Sequence, residues 1–191
     1  MKTLKLVPVV LATLLAAPVF AQTATHEAQR DVNQQKRIEA GLQSGALTTR
    51  EAARLEKEEA RIDRVEANAM KDGKVTPQEQ RRIARMQNHA SRDIDRLSSN
   101  DKKGNPNSAS SKRMQADVAR NVKQQQRIEN GLKDGSLTKR EAAGLERGQA
   151  RVARAEAAAG RDGHVGAREQ DRIQHAENNQ SRRIHAERHD Q

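Results

Sequence analysis

Apolar positions along this chain recur at steps of three and four, and they never alternate over the length of a strand. Ile83, Met86, Ala90, Ile94 and Leu97 follow the spacing of one helical face. Leu55, Ile62 and Ala69 recur every seven residues, with Ala52, Val65 and Glu66 beside them, and Val32, Ile38 and Leu42 mark an earlier helix. The pattern predicts one helix running to about Leu42, a second over about Arg50 to Met70 and a third starting at Pro77. The expected fold class is all-α.

The pattern then repeats. Residues 34–94 align without gaps on 124–184, with 33 of 61 positions identical. QQKRIEAGLQSGALTTREAARLE in the first copy corresponds to QQQRIENGLKDGSLTKREAAGLE in the second. Such a duplication sets the architecture. Ser, Asn, Gly and Pro dominate the stretch between the copies, the composition of a flexible linker. The expectation is two tandem copies of a three-helix unit, 24–97 and 114–191, joined by a flexible linker at 98–113. Val65, Met70, Met86 and Leu97 of the first copy become Ala155, Gly160, Ala176 and Glu187 in the second, which thins the second core.

Residues 1–21 have a different character. Lys2 and Lys5 precede an almost wholly apolar run from Leu6 to Phe20, and Val19 and Ala21 are the small residues that precede a signal-peptidase cut. The run is about 15 residues, short of the roughly 20 of a spanning helix. It is read as a signal peptide, removed on export to the periplasm or beyond, in a Gram-negative bacterium. No later stretch is apolar enough to span a membrane.

Between the helices lie four loops, SGALTTRE (44–51), KDGKVTPQE (71–79), DGSLTKRE (134–141) and RDGHVGARE (161–169). Each has Gly, one residue, Leu or Val, and a Glu six residues after the Gly. Thr48 with Glu51, Thr76 with Glu79 and Thr138 with Glu141 have the spacing of capping boxes, and Gly beyond a helix end suits the left-handed cap. Leu47 and Val75, or Leu137 and Val165, are expected to pack together and bridge the loops.

The same residues resemble the EF-hand calcium loop. With Gly73 at its sixth position, Asn68, Asp72, Thr76 and Glu79 fall at ligand positions 1, 5, 9 and 12. With Gly135 there, Asn130, Asp134, Thr138 and Glu141 do. Met70 and Leu132 stand at position 3, where the family has an oxygen ligand. The resemblance implies EF-hand-like loops holding Ca²⁺ or another divalent cation. The chain also looks like small exported helical proteins of Gram-negative bacteria that carry D-G-x-V-T-x-x-E loops.

Composition narrows the chemistry. The chain carries 36 Lys and Arg against 26 Asp and Glu, a formal charge of +10, and has no Cys, Trp or Tyr. Thiol chemistry and cysteine metal sites are excluded. Phe20 is the only aromatic residue, so single-stranded nucleic acid has no stacking platform. No nucleophile elbow, Walker loop, dinucleotide glycine fingerprint or HExxH helix occurs. The carboxylates sit among Lys and Arg, as with Glu58 and Arg61 or Asp63 and Arg64, so they are read as solvated faces with none buried for acid catalysis. A non-enzymatic binding or interaction protein is expected.

Two further groups are candidate sites. Arg81, Arg85, Arg92 and Arg96 share one side of the third helix, with Arg82 flanking them, and suit phosphates of an anionic envelope polymer such as lipopolysaccharide. His185 and His189, four apart on a helix, have the spacing to chelate a transition metal. Export argues against nucleic acid, and the thin core permits a homo-oligomer.

Overall fold

The computed structural model describes residues 19–189, with side-chain surroundings from Thr23 onward. The segment read as a signal peptide lies, except for the first residues of the opening helix, outside the described residues. The protein is all-helical. Among the described residues six helices follow in order: α1 (Val19–Ser44), α2 (Thr49–Met70), α3 (Pro77–Ser98), α4 (Ala109–Asp134), α5 (Lys139–Ala159) and α6 (Ala167–His189). A 3₁₀ turn (Gly160–Asp162) follows α5. Among the described residues, no helix is long and apolar enough to cross a membrane.

Local chemistry sets the helix ends. Thr48, Thr76 and Thr138 each accept from the backbone N–H three residues on, and Glu51, Glu79 and Glu141 reach back to the cap N–H. These are the three capping boxes read from the sequence. Pro77 occupies the first turn of α3, where its missing N–H costs no hydrogen bond. The glycines that close the loops, Gly45, Gly73, Gly135 and Gly163, all have φ between 74° and 90°. That region is strained for any residue with a Cβ.

The two copies do not build separate cores. α1 packs on α4 and α2 packs on α5, with α3 and α6 on the flanks. One apolar cluster joins Ile38, Leu42 and Leu55 to Met114, Val118 and Ile173; a second joins Met70 and Ile83 to Ile128, Leu145 and Ile184. The loops pair across the copies as well. Leu47 shares a cluster with Val165, and Val75 with Leu137, so the expected pairing within each copy is replaced by a crossed one.

The segment between the copies is shorter and better tied than its composition suggests. Helix α3 runs to Ser98 and α4 starts at Ala109. Gly104 donates from its backbone N–H to the Gly45 carbonyl at 2.8 Å, and Asn100 donates to Glu51 at 2.8 Å.

Helices α2 and α5 are antiparallel. Arg50, at the start of α2, donates to the Asp162 carbonyl beyond the end of α5 at 2.7 Å; Arg140, at the start of α5, reaches the Asp72 carbonyl at 3.4 Å. Arg50 and Arg140 are equivalent positions of the repeat, as are Asp72 and Asp162. One contact is therefore made twice, about an approximate two-fold axis between α2 and α5.

Candidate functional site

The EF-hand-like residues are placed as follows. The second and third loops come together at one end of the molecule, where Asp72, Gly73 and Lys74 face Thr138, Arg140 and Glu141 across a shallow cavity. One oxygen of each of Asp72, Glu79 and Glu141 is engaged in local structure. Glu79 accepts from the Thr76 backbone N–H at 2.9 Å and hydroxyl at 2.7 Å, and Glu141 accepts from the Thr138 N–H at 2.7 Å. Asp72 accepts from the Lys74 N–H at 3.0 Å. Asp134 accepts from the Ser136 N–H and hydroxyl and pairs with Arg188 at 2.9 Å, which together hold its carboxyl below the usual range. Asn68 lines a groove of arginines, and Asn130 is exposed on α4.

The histidine pair sits as its spacing predicts, with ring centroids 4.3 Å apart, but His189 Nδ1 is bonded to the His185 carbonyl at 2.7 Å. Of the third-helix arginines, Arg81, Arg85, Arg92 and Arg96 are all exposed. Arg96 is neutralised by Asp93 at 2.8 Å, while Arg85 joins Arg82 and Arg61 along a groove between α2 and α3. A group at the rim of that groove, Glu58, His89 and Asp93, brings its ligand atoms within 4.8 Å of one another. There too Arg96 takes Asp93.

The expectation that the carboxylates lie on solvated faces is overturned. Glu27, Asp31, Glu56, Glu59, Asp63, Glu66, Asp117, Glu146, Glu156 and Glu177 are all buried, with Asp63 only 2% exposed. They share the interior with Gln34, Gln35, Gln87, Asn121, Gln124 and Gln125. The basic residues expected beside them point the other way. Every exposed charged side chain on α2 and α5 is Lys or Arg: Arg50, Arg54, Lys57, Arg61 and Arg64 on α2, and Arg140, Arg147, Arg151 and Arg154 on α5.

The approximate two-fold axis organises this interior. Glu66 and Glu146 approach each other across α2 and α5 within a buried group that includes Asp63. Glu56 and Glu156, the equivalent pair, are also buried close enough to act on each other. Gln35 donates to Glu56 at 3.1 Å, as its counterpart Gln125 does to Glu146 at 3.2 Å. The copies differ at one point that matters: the counterpart of Asp63 is Ala153.

Burial takes these groups away from water and disfavours their charge. It pushes Glu146 up to about 8 and Glu56 up to about 7. Glu27 and Glu177 go up to about 8, through burial and then the neighbouring Asp31 and Asp117 respectively. Glu59, Asp63, Glu66 and Glu156 are raised well above the carboxylate range, by burial first and by neighbouring carboxylates second. Among the described residues, eighteen buried side-chain atoms have no hydrogen-bond partner, and all are oxygens of carboxyl or amide groups. The protons that the raised carboxyls keep supply donors to this interior, since a protonated carboxyl donates as well as accepts.

The outer face of the same two helices has the opposite character. Arg64, Arg147, Arg151 and Arg154 line one groove of about 450 Å³ with Asn68. Arg61, Arg82 and Arg85 line the groove between α2 and α3, and Arg151 and Arg183 line its counterpart between α5 and α6. Among these arginines no ion pair to a carboxylate is formed. Comparison with protein-family models, curated proteins and solved structures finds no match.

Proposed function

We propose that this protein is an exported, non-enzymatic binding protein that holds a phosphate-bearing envelope polymer on the outer face of α2 and α5. In this reading, two copies of a three-helix unit have folded into each other so that their second helices form one continuous basic surface. The observation that carries it is the sorting of charge on these helices: acids are buried or, at Glu58 and Glu141, half-buried, and every exposed charge is basic. Solvated arginines without carboxylate partners are free to take phosphates, bidentately and in fixed geometry. From Arg147 to Arg154 the row extends about 10 Å along α5, beside Arg64 of α2, enough to meet more than one phosphate. The signal-like N-terminus and the absence of aromatic residues after Phe20 favour an envelope polymer over nucleic acid.

The test is binding to lipopolysaccharide and to its dephosphorylated form across a salt series, with duplex DNA as competitor. The expected result is affinity for the phosphorylated form that falls steeply with salt. Reversing Arg64, Arg147 and Arg151 to Glu should weaken it at least tenfold, whereas Arg92→Glu should change it less than twofold. Binding unaffected by the triple reversal would remove the proposal. Tighter binding to DNA at equal salt would move the surface to nucleic acid.

A further inference from the structure

The groove between α2 and α3 differs from the arginine groove beside it. Its floor is apolar, formed by Ile62, Met86 and Ala90, and Arg61, Arg82 and Arg85 stand over it. All three arginines are exposed, and among the described residues none of them pairs with a carboxylate. The groove holds about 310 Å³, at the lower end of the range for small-molecule sites.

Its two ends carry opposite charge. Helices α2 and α3 run antiparallel, since Gln87 bonds to Glu66 at 3.0 Å and Asp93 faces Arg54 at 4.0 Å. Arg82 and Arg85 therefore lie toward the loop that joins the two helices, and Glu58 lies at the other end, about 12 Å along α2 from Glu66. Glu58 Oε1 is 3.9 Å from Arg54 Nε, and its Oε2 has no partner. Burial, and then the neighbouring Asp93, raise the Glu58 carboxyl from its ordinary value. A cationic group placed at that end opposes the rise.

The second copy shows the same groove closed. Glu58 and Ala90 have Gly148 and Gln180 as their counterparts. Gln180 donates from Nε2 to the Leu145 carbonyl at 2.8 Å, and its amide fills the space over Gly148, where an added Cβ would stand 1.8 Å from Gln180 Oε1. What is left holds about 220 Å³ and has no acid in its lining. In the first copy, the small Ala90 opens the floor and Glu58 supplies the acid.

We infer that the α2–α3 groove is a binding site for a short apolar peptide with free ends, its C-terminal carboxylate on Arg82 and Arg85 and its N-terminal ammonium on Glu58. Guanidinium groups take a carboxylate bidentately. Arg61, between the ends, offers donors to the peptide carbonyls. About three extended residues span the roughly 10 Å between the charged ends, and their apolar side chains cover Ile62, Met86 and Ala90. A polyanion meets Glu58 at the far end, so the groove selects against the phosphate polymer proposed for the outer face of α2 and α5, and neither site depends on the other.

The test titrates the tripeptide leucyl-alanyl-leucine into the whole chain by calorimetry. The same peptide amidated at its C-terminus, the same peptide acetylated at its N-terminus, and decanoate are titrated beside it. The expected result is one-to-one binding of the free peptide, weakened at least tenfold by amidation and at least threefold by acetylation. Arg82→Glu with Arg85→Glu should remove the preference for the free carboxylate, and Glu58→Gln the preference for the free ammonium. Glu58→Gly with Ala90→Gln copies the closed groove of the second half and should abolish binding with helicity retained. Reversing Arg64, Arg147 and Arg151 to Glu should leave peptide affinity within threefold. Equal binding of the free and amidated peptides, binding that survives the closed groove, or no binding of the free peptide would overturn the site. Tighter binding of decanoate would also overturn it and make the groove a site for anionic amphiphiles.

Discussion

Met114 lies against Gly160, its Cε only 2.6 Å from where a Cβ on that glycine would stand. The equivalent positions in the other half are Ala24 and Met70, which share an apolar cluster. Large and small have changed places between two equivalent contacts, so the loss of Met70 at Gly160 does not thin the second half as the sequence suggests. Met114→Ala should cost about 2–5 kcal/mol, the range for emptying a buried site of that size. Gly160→Met alone should also destabilise, by overpacking. The double variant should regain most of the loss, and a thermal double-mutant cycle measures the recovery. Additive losses would show that the two positions do not exchange volume.

The shared cores lead to a second expectation. Residues 22–108 and 109–191, produced separately, should each lack a cooperative melt, because each fragment exposes half of both apolar clusters. Mixed in equal amounts, they should recover helicity and co-elute. Independent cooperative folding of either fragment by circular dichroism would contradict the interlocked core.

Much of this architecture was legible in the sequence, because each signal was local. Pro77 and the Thr–x–x–Glu boxes placed the starts of α2, α3 and α5 within a residue or so. Pairing across the copies was not legible, since Leu47 falls in one apolar cluster with Val165 and not with Val75, through geometry that no short-range pattern encodes. Glu66 aside, which falls beside the apolar stripe of α2, the buried acids were missed for a different reason. Burying charge is costly, so a run of acids among arginines reads as a solvated face. A usable signal existed: Glu56, Glu59, Asp63 and Glu66 step by three, four and three on one face of α2, and Glu56, Glu66 and Gln35 recur as Glu146, Glu156 and Gln125. Repeated acids at helical spacing, with arginines on the complementary positions, mark an acidic seam.

The loop residues give a third prediction. Thr76 caps α3 by accepting from the Glu79 N–H at 3.3 Å, and its hydroxyl donates to the same Glu79. Thr76→Ala should cost about 1 kcal/mol, the usual value for a lost N-cap. In a chain this size that is a fall of about 2–4 °C in melting temperature. Because Glu79 is held by the cap, the fall should be the same with chelator and with millimolar Ca²⁺. A fall seen only with Ca²⁺ would return a ligand role to the loop.

Stability should also depend on pH in a direction opposite to that of most proteins. The raised interior carboxyls hold their protons more tightly in the folded chain than in the unfolded one. Their contribution is therefore fully present below the ordinary carboxylate range and is lost as pH rises through the folded values. Those values step upward through about 6 for Asp31, about 7 for Glu56 and Asp117, and about 8 for Glu27, Glu146 and Glu177. With chelator present, the melting temperature should thus fall between pH 5 and pH 8, by on the order of ten degrees. Glu59→Gln keeps the shape of a side chain whose carboxyl is buried among other acids, and removes its titration. It should raise the melting temperature at pH 8 and leave it nearly unchanged at pH 5. A melting temperature that rises from pH 5 to pH 8 with chelator, or a Glu59→Gln effect of equal size at both, would mean that the seam is not protonated in the folded chain.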